Sequence, residues 1–317
     1  MADPVIRRIR EQTLRTGVAV AWAQWSALTT MAVPAGPRAR SMVDPEALVL
    51  LSLAVRGREP RLDDLVLGWA RAASSLLSVQ RVLHLAEAFP PGVREGIGGF
   101  ARAAADAGDR RWRAHAAETE AGPAARRKVA GAPRLAEAPA LMLRLRAGFG
   151  VGTRADVLAF LLAQRGGEAT VSTLSEATGY SGSAVRTAVE EMVLAGFVRR
   201  LEGSPTAYCA DHRAWAGVLL FRPTSSPKGP DAPPWRFWAA IFAFLADLEA
   251  WAAEAEAAEW SPYVASSRAR DLVEDHARTL RMAKLRLPDP REPGGAVFLE
   301  DLERGMKHVH EWCLQQL

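Results

Sequence analysis

Cysteine is almost missing from these 317 residues: Cys209 and Cys313 are the only two. Two distant thiols give no disulfide framework, and such sparse use suits a reducing compartment. Long apolar runs are missing as well. The longest are "ALVLLSLAV" (47–55) and "FWAAIFAFLA" (237–246), each short of the roughly 18–20 residues that a membrane span requires. The N-terminus, "MADPVIRRIREQ", carries charges where a signal peptide needs its apolar core. A soluble, cytoplasmic chain with no membrane partner is therefore expected. Neither sign of charge dominates: the formal net charge is +4 and the pI about 9.4. That balance is compatible with nucleic acid without arguing for it. Arginine outnumbers lysine and alanine is abundant, a bias that a GC-rich genome also produces, so arginine content carries no functional weight.

The signatures of catalysis are absent too. The sequence has no G-x-S-x-G, no P-loop, no CxxC and no G-x-G-x-x-G with an acidic partner. The "EGSP" at 202–205 is not followed by the paired Asp-x-Asp of a nucleotidyltransferase. His84 and His115 stand in helical context with no carboxylate and nucleophile to complete a set. In "HVHEWC" (308–313), His310 and Cys313 are three apart and share a helical face, but His308 does not. Cys209 and His212, the remaining candidates, are far away in sequence. The expectation is a non-enzyme with no catalytic residue, no metal ligand and no cofactor.

What is present reads as mainly α. Apolar residues make up 49% and charged residues 24%, ordinary for a globular chain, and the length suggests two or three domains. Residues 1–118 form an expected helical N-terminal domain. In "DPEALVLLSLAVRG" (44–57), Asp44 is a candidate N-cap, Pro45 the first helical residue and Gly57 the stop. Leu48, Leu51, Leu65, Trp69, Leu76, Val82 and Leu85 recur at helical spacing and are core candidates. Residues 119–138, rich in Ala, Gly and Pro with the basic triplet Arg126, Arg127 and Lys128, read as a linker. After a Pro-rich stretch at 222–235, a helical C-terminal domain is expected over 235–317, with helices near 235–258, 262–286 and 297–316. Its first helix carries Trp235, Trp238, Phe242 and Trp251, and also Asp247, Glu249, Glu254, Glu256 and Glu259 against only Arg236. An acidic helix sits poorly on DNA. So much aromatic surface suggests a homodimer interface.

Residues 139–221 hold the informative segment. "TRADVLAFLLAQRGG" (153–167) predicts a helix capped by Thr153. In "TVSTLSEATGYS" (170–181), Val171 would make one bridge of a small sheet. Ser172 would cap a short helix, Gly179 would end it in a tight turn, and Ser181 would cap the next. That next helix has two faces. Val185, Ala188, Val189 and Met192 form a stripe to bury. Ser183, Arg186, Thr187 and Glu190 form a small, polar stripe with one arginine. Such a face permits close approach to a groove, hydroxyls and helix-terminal amides for phosphate, and a guanidinium for a guanine edge. Glu190, one turn on, stands where it would pair with Arg186. "FVRRLE" and "TAYCAD" then alternate as two strands about the Gly203-Ser204-Pro205 turn, with Arg199 or Arg200 pointing outward.

With "TLSEATGYS", "SAVRTAVEEMVLAGFVRR" and the hairpin "LEGSPTAYCAD", the segment from about 153 to 212 resembles a winged helix-turn-helix transcription regulator of the MarR/ArsR type. The preceding "RLRAGFGVGTRADVLAFLL" also resembles winged-helix domains of prokaryotic regulators, some linked to nucleotidyltransferase toxin systems. The resemblance implies a central winged helix-turn-helix with a small β-hairpin wing, flanked by helical domains. By position it makes Ser181, Ser183, Arg186 and Thr187 the helix contacts to double-stranded DNA, with Arg199, Arg200, Ser204 and Thr206 near the wing. The expected function is DNA-binding transcription regulation by a homodimer. The competing expectation is a non-catalytic interaction or antitoxin-like module whose winged helix contacts an unidentified protein partner.

Overall fold

A computed structural model of the chain describes residues 3–30, 36–117, 132–219, 232–291 and 294–317. The basic triplet of the expected linker, and the Pro-rich stretch up to residue 231, lie outside the described residues.

The chain begins with a long helix, α1 (Pro4–Leu28), started by the Asp3 side chain accepting from the Val5 amide at 2.8 Å. Four more helices follow: α2 (Pro45–Ala54), α3 (Pro60–Ala73), α4 (Val79–Ala86) and α5 (Pro91–Asp106). Asp44 caps α2 as its sequence predicts, with Pro45 at the first position. At the other end of the chain lie α11 (Trp238–Ala257), α12 (Pro262–Asp275), α13 (Ala277–Met282) and α14 (Ala296–Gln316). The helix expected over 262–286 is thus broken at His276.

These two sets of helices share one apolar cluster that runs from Ile6 to Leu317. Helix α1 lies against α11 and α14, and α11 also lies against α2. The aromatic residues expected to seat a second copy are used inside the chain. Trp238 is fully buried, stacks on Phe242 at 5.2 Å and donates to Ser41 at 3.2 Å. Trp251 donates to the Ala265 carbonyl at 3.2 Å, and Trp235 meets Phe160 edge-on at 5.2 Å. The acidic face of α11 is likewise answered from within. Arg10 bonds Glu249 and Glu256 at 3.0 and 2.6 Å, and His276 bonds Asp247 at 2.8 Å. Five of the seven predicted core residues of the N-terminal region, Leu48, Leu51, Leu65, Trp69 and Val82, are buried, and Leu76 and Leu85 are half-buried.

A second apolar cluster belongs to the central segment. It is built from α6 (Leu141–Phe149), α7 (Thr153–Ala163), α8 (Val171–Thr178), α9 (Gly182–Leu194) and α10 (His212–Leu219), with strands β1 (Ala169–Thr170), β2 (Arg199–Leu201) and β3 (Ala207–Cys209). The strands form an antiparallel sheet in the order β1-β3-β2. This is the mainly α fold with a small hairpin wing that the pattern implies. Two helix starts differ from expectation by a residue or two. Gly152, not Thr153, precedes α7. Thr170, not Ser172, caps α8, accepting from the Thr173 amide at 3.3 Å. Threonine suits both the extended ladder and the cap, so the sheet ends and the helix begins at one residue, and Val171 is already helical. Among the described residues no helix is long and apolar enough to cross a membrane.

Candidate nucleic-acid interface

Helix α9 divides as its spacing predicts. Val185, Ala188, Val189 and Met192 are buried, whereas Ser183, Arg186 and Thr187 are exposed. Ser181 caps the helix, accepting from the Ala184 amide at 3.3 Å, and its hydroxyl lies 3.1 Å from that of Ser183. The preceding turn runs through Gly179 in the left-handed region, at φ 74°, a conformation that costs a residue with a Cβ about 1–2 kcal/mol. The helix-turn-helix geometry therefore follows from one glycine and one serine, three positions apart counting inclusively.

Arg186 makes no hydrogen bond or ion pair among the described residues. The expected partner, Glu190, is engaged elsewhere. It accepts from the Tyr208 hydroxyl at 2.7 Å and lies 3.5 Å from the Arg200 guanidinium. The reason is register: Arg200 and Tyr208 stand opposite each other across β2 and β3, so both converge on the same turn of α9. Burial, and then the bond to Glu190, raise the Tyr208 hydroxyl above its ordinary pKa. Arg199 and Arg200 are both exposed, although a strict alternation would turn one of them inward. Strand β2 lies at the sheet edge with Cys209, Tyr208 and Ala207 of β3 filling the inner side. Ser204 is exposed at the turn and Thr206 half-buried. A further arginine near the face, Arg154, is tied to Glu191 at 2.5 Å. Arg186 and Arg199 are thus the arginines of α9 and the wing without an ion pair among the described residues.

Residues 152–207 match the model of the MarR family. That segment is a MarR-type winged-helix domain, the kind that transcription regulators use on DNA. The match takes in α7, α8, α9 and the wing as far as the start of β3, and none of the flanking helices. No curated protein and no solved structure matches the chain.

Beneath this domain lies a buried set of charges that the sequence reading missed. Arg81 of α4 grips Asp44 through both terminal nitrogens at 2.6 Å and reaches Glu46 at 2.6 Å. Arg146 of α6 bonds Glu46 at 2.5 and 3.0 Å and both oxygens of Asp156 at 2.7 Å. All five side chains are at most 5% exposed. Burial works against charge on both guanidiniums, yet Asp44 and Glu46 at Arg81, and Asp156 and Glu46 at Arg146, outweigh it and raise both above their ordinary values. Burial alone would raise the Asp44 carboxyl. Arg81 beside it, with the Ala47 amide, brings the net below the usual carboxylate value. The set reaches the helix-turn-helix at two atoms: Arg81 donates to the Thr178 carbonyl at 2.7 Å, and the Tyr180 hydroxyl donates to Asp156 at 2.9 Å. A hint was available in the sequence. Arg146 interrupts "LMLRLRAGF" and Asp156 interrupts "ADVLAFLLA", and a charge within a short apolar run that folds must find a buried counter-charge or stay out of the core.

The residues imagined as metal ligands are not brought together. Cys313 is buried in the helical core, its thiol pushed up to about 12 by burial, and Cys209 is buried in β3. His310 bonds the Thr16 hydroxyl at 2.9 Å and His212 accepts from the Ala232 amide at 3.3 Å. Among the described residues no group of three or more His, Cys, Asp or Glu could hold a metal ion.

Proposed function

We propose that this chain is a DNA-binding transcription regulator that reads duplex DNA through α9 and works as a homodimer. The observation that carries the reading is the exposed face of α9. Ser183, Arg186 and Thr187 stand together on a capped helix, with Arg186 free of any ion pair among the described residues, inside a segment that matches the MarR family. A free guanidinium one turn into the helix can reach a guanine edge, and the small residues beside it let the helix enter the major groove. To Ser181, Ser204 and Thr206 we assign phosphate contacts, with charge at the wing base from Arg199 and, where Glu190 releases it, Arg200.

The charge inventory argues for two copies. Arg154 and Arg200 are each held by a glutamate, so one winged helix presents few uncompensated cations. Two such surfaces on adjacent half-sites bind far more tightly than one. The test is a salt titration of binding to random duplex. Neutralising phosphates releases counterions, so the affinity should fall steeply and linearly on a double-logarithmic plot. Binding that does not weaken with salt would remove DNA from the account.

One observation favours the rival reading, a winged helix that contacts protein. Phe149, Leu194, Phe197 and Val218 are exposed, Leu194 at 90%. Phe149, Phe197 and the buried Trp215 lie edge-to-face at 5.4–5.9 Å. Contiguous exposed apolar surface commonly marks contact with another macromolecule. The same salt titration separates the readings, since apolar docking persists where phosphate contacts fail.

A further inference from the structure

We infer that Tyr180 and Arg81 are positioning residues for the reading helix. They clamp the turn before α9 onto the buried charges of α2, α6 and α7, Arg81 from the flanking helical body and Tyr180 through Asp156 of the winged helix itself, so that both together set the direction of α9. This rests on the DNA-reading role proposed for α9.

The turn is Thr178, Gly179 and Tyr180, and each end of it is held. The Thr178 carbonyl accepts from Arg81 Nε at 2.7 Å. It is one of the last carbonyls of α8, which the helix itself leaves without a partner. The Tyr180 carbonyl accepts from the Ser175 hydroxyl, and the Tyr180 hydroxyl donates to Asp156 at 2.9 Å. The next residue is Ser181, the cap of α9. No slack lies between the clamp and the helix it directs. Behind the clamp, Arg81 is fixed by Asp44 and Glu46, Glu46 also accepts from the Ser78 amide at 2.8 Å, and Arg146 bridges Glu46 to Asp156. Asp156 therefore meets both the bridge and Tyr180 through the same oxygen, Oδ2.

A closed circuit of charge-assisted bonds of this kind has few alternative arrangements. A rotation of the turn breaks the buried Arg81–Thr178 bond, which water does not reach, and strains the half-buried Tyr180–Asp156 bond with it. Recognition contacts need their donors held within roughly 0.5 Å and 10–20° of the working geometry. A helix of thirteen residues magnifies a small angular error at its root into a displacement larger than that along its length. The clamp thus bears on discrimination between sequences more than on attraction to phosphate. Phosphate contacts tolerate small shifts, whereas bidentate base contacts do not.

Removing Arg81 would leave Asp44 uncompensated in the interior and is expected to unfold part of the chain, so the test uses Tyr180→Phe in the full-length protein. The ring stays and only the hydroxyl is lost. Affinity is measured for the duplex enriched by selection from a randomised pool and for random duplex, each across a salt series, with amide exchange followed over residues 178–184. The expected result is a five- to tenfold fall in the ratio of selected to random affinity. The random-duplex affinity and salt slope should stay unchanged, and exchange should quicken in that segment. A purely structural role would lower the melting temperature and leave the ratio alone. An unchanged ratio in a variant whose parent discriminates well would overturn the clamp while leaving DNA reading intact. A parent that binds no duplex at all would end the DNA reading, and the positioning role with it.

Discussion

The Tyr208 hydroxyl donates to Glu190 at 2.7 Å, tying the wing to the third turn of α9. The same carboxylate oxygen faces Arg200 at 3.5 Å. One acidic residue therefore holds the wing in place and withholds a cation from phosphate. Glu190→Gln keeps an acceptor for Tyr208 and removes the charge. Affinity for random duplex should rise severalfold and the salt slope should steepen by about one, as one more arginine becomes available to phosphate. Fluorescence anisotropy over a salt series measures both, and an unchanged slope would show that Arg200 does not face the backbone.

Arg186 and Arg199 should then separate reading from holding. Arg186→Ala should relax preference at one base position, at about 1–3 kcal/mol of discrimination. Arg199→Ala should weaken every duplex alike and flatten the salt slope by about one. Arg200→Ala should do less than Arg199→Ala in the parent, because Glu190 already compensates it. Competition assays with single-base variants of a selected duplex give the first result, and the salt series gives the others.

The buried charges make a stability prediction with a defined pH window. Glu46 meets both Arg81 and Arg146 and is wholly buried. Glu46→Gln should cost about 3–5 kcal/mol, the usual loss when one partner of a buried pair is removed, as measured by urea denaturation. Asp44 gives the pH dependence. Its folded pKa lies below the unfolded one because Arg81 outweighs the burial that would raise it. Its contribution is then fully present above the unfolded value, about 3.9, and is lost as pH falls through the lower folded value. The stability gap between the parent and Asp44→Asn should be constant from pH 7 to pH 5 and close only below about pH 4.

Burial pushes the Cys313 thiol up to about 12. Only the thiolate is nucleophilic. Native protein at pH 8 should therefore leave Cys313 unlabelled by an alkylating reagent, and denaturant should expose it. Labelling of Cys313 in the native protein would show that the C-terminal helix detaches readily from α1.

Helix α9 was legible in the sequence because its information is local. Ser181, Gly179 and a 0, +3, +4, +7 stripe fix its start, its turn and its buried face within about fifteen residues. The same locality gave Asp44 as a cap and the two wing strands. What the sequence hid is the pairing of distant charges. Asp44 reads as a cap and Glu46 and Arg81 as solvated side chains, while Arg146 and Asp156 interrupt apolar runs without naming a partner. Only their meeting across four helices makes them a core. The aromatic face of α11 misled for the same reason. Trp238 and Phe242 are more than one amphipathic helix needs, but α1, α2 and α12 pack against α11 and Trp312 of α14 meets Trp238 edge-on, and that burial cannot be counted from one helix alone.

With those aromatics committed internally, the apolar exposure at the end of α9 is the surface on which to test the proposed association. Ala147, Gly148 and Phe149 at the end of α6 with Gly150 after it, and Leu194 at the end of α9 with Ala195, Gly196 and Phe197 after it, are all exposed, and none carries a charge. An uncharged patch meets a copy of itself without like-charge repulsion, and an isologous interface requires that self-match. Leu194 is 90% exposed, so Leu194→Glu should leave the melting temperature within about 1–2 °C, as a surface substitution of under 0.5 kcal/mol would. If this patch joins two copies, light scattering should show the parent at twice the 34.3 kDa chain mass and the variant at or near that mass, with selected-duplex affinity falling at least tenfold for want of the second half-site. A parent that is dimeric and a variant that stays so would place the interface elsewhere. A parent that is monomeric at every concentration, yet loses a co-purifying protein on Leu194→Glu, would favour the protein-binding reading of the winged helix over the homodimeric regulator.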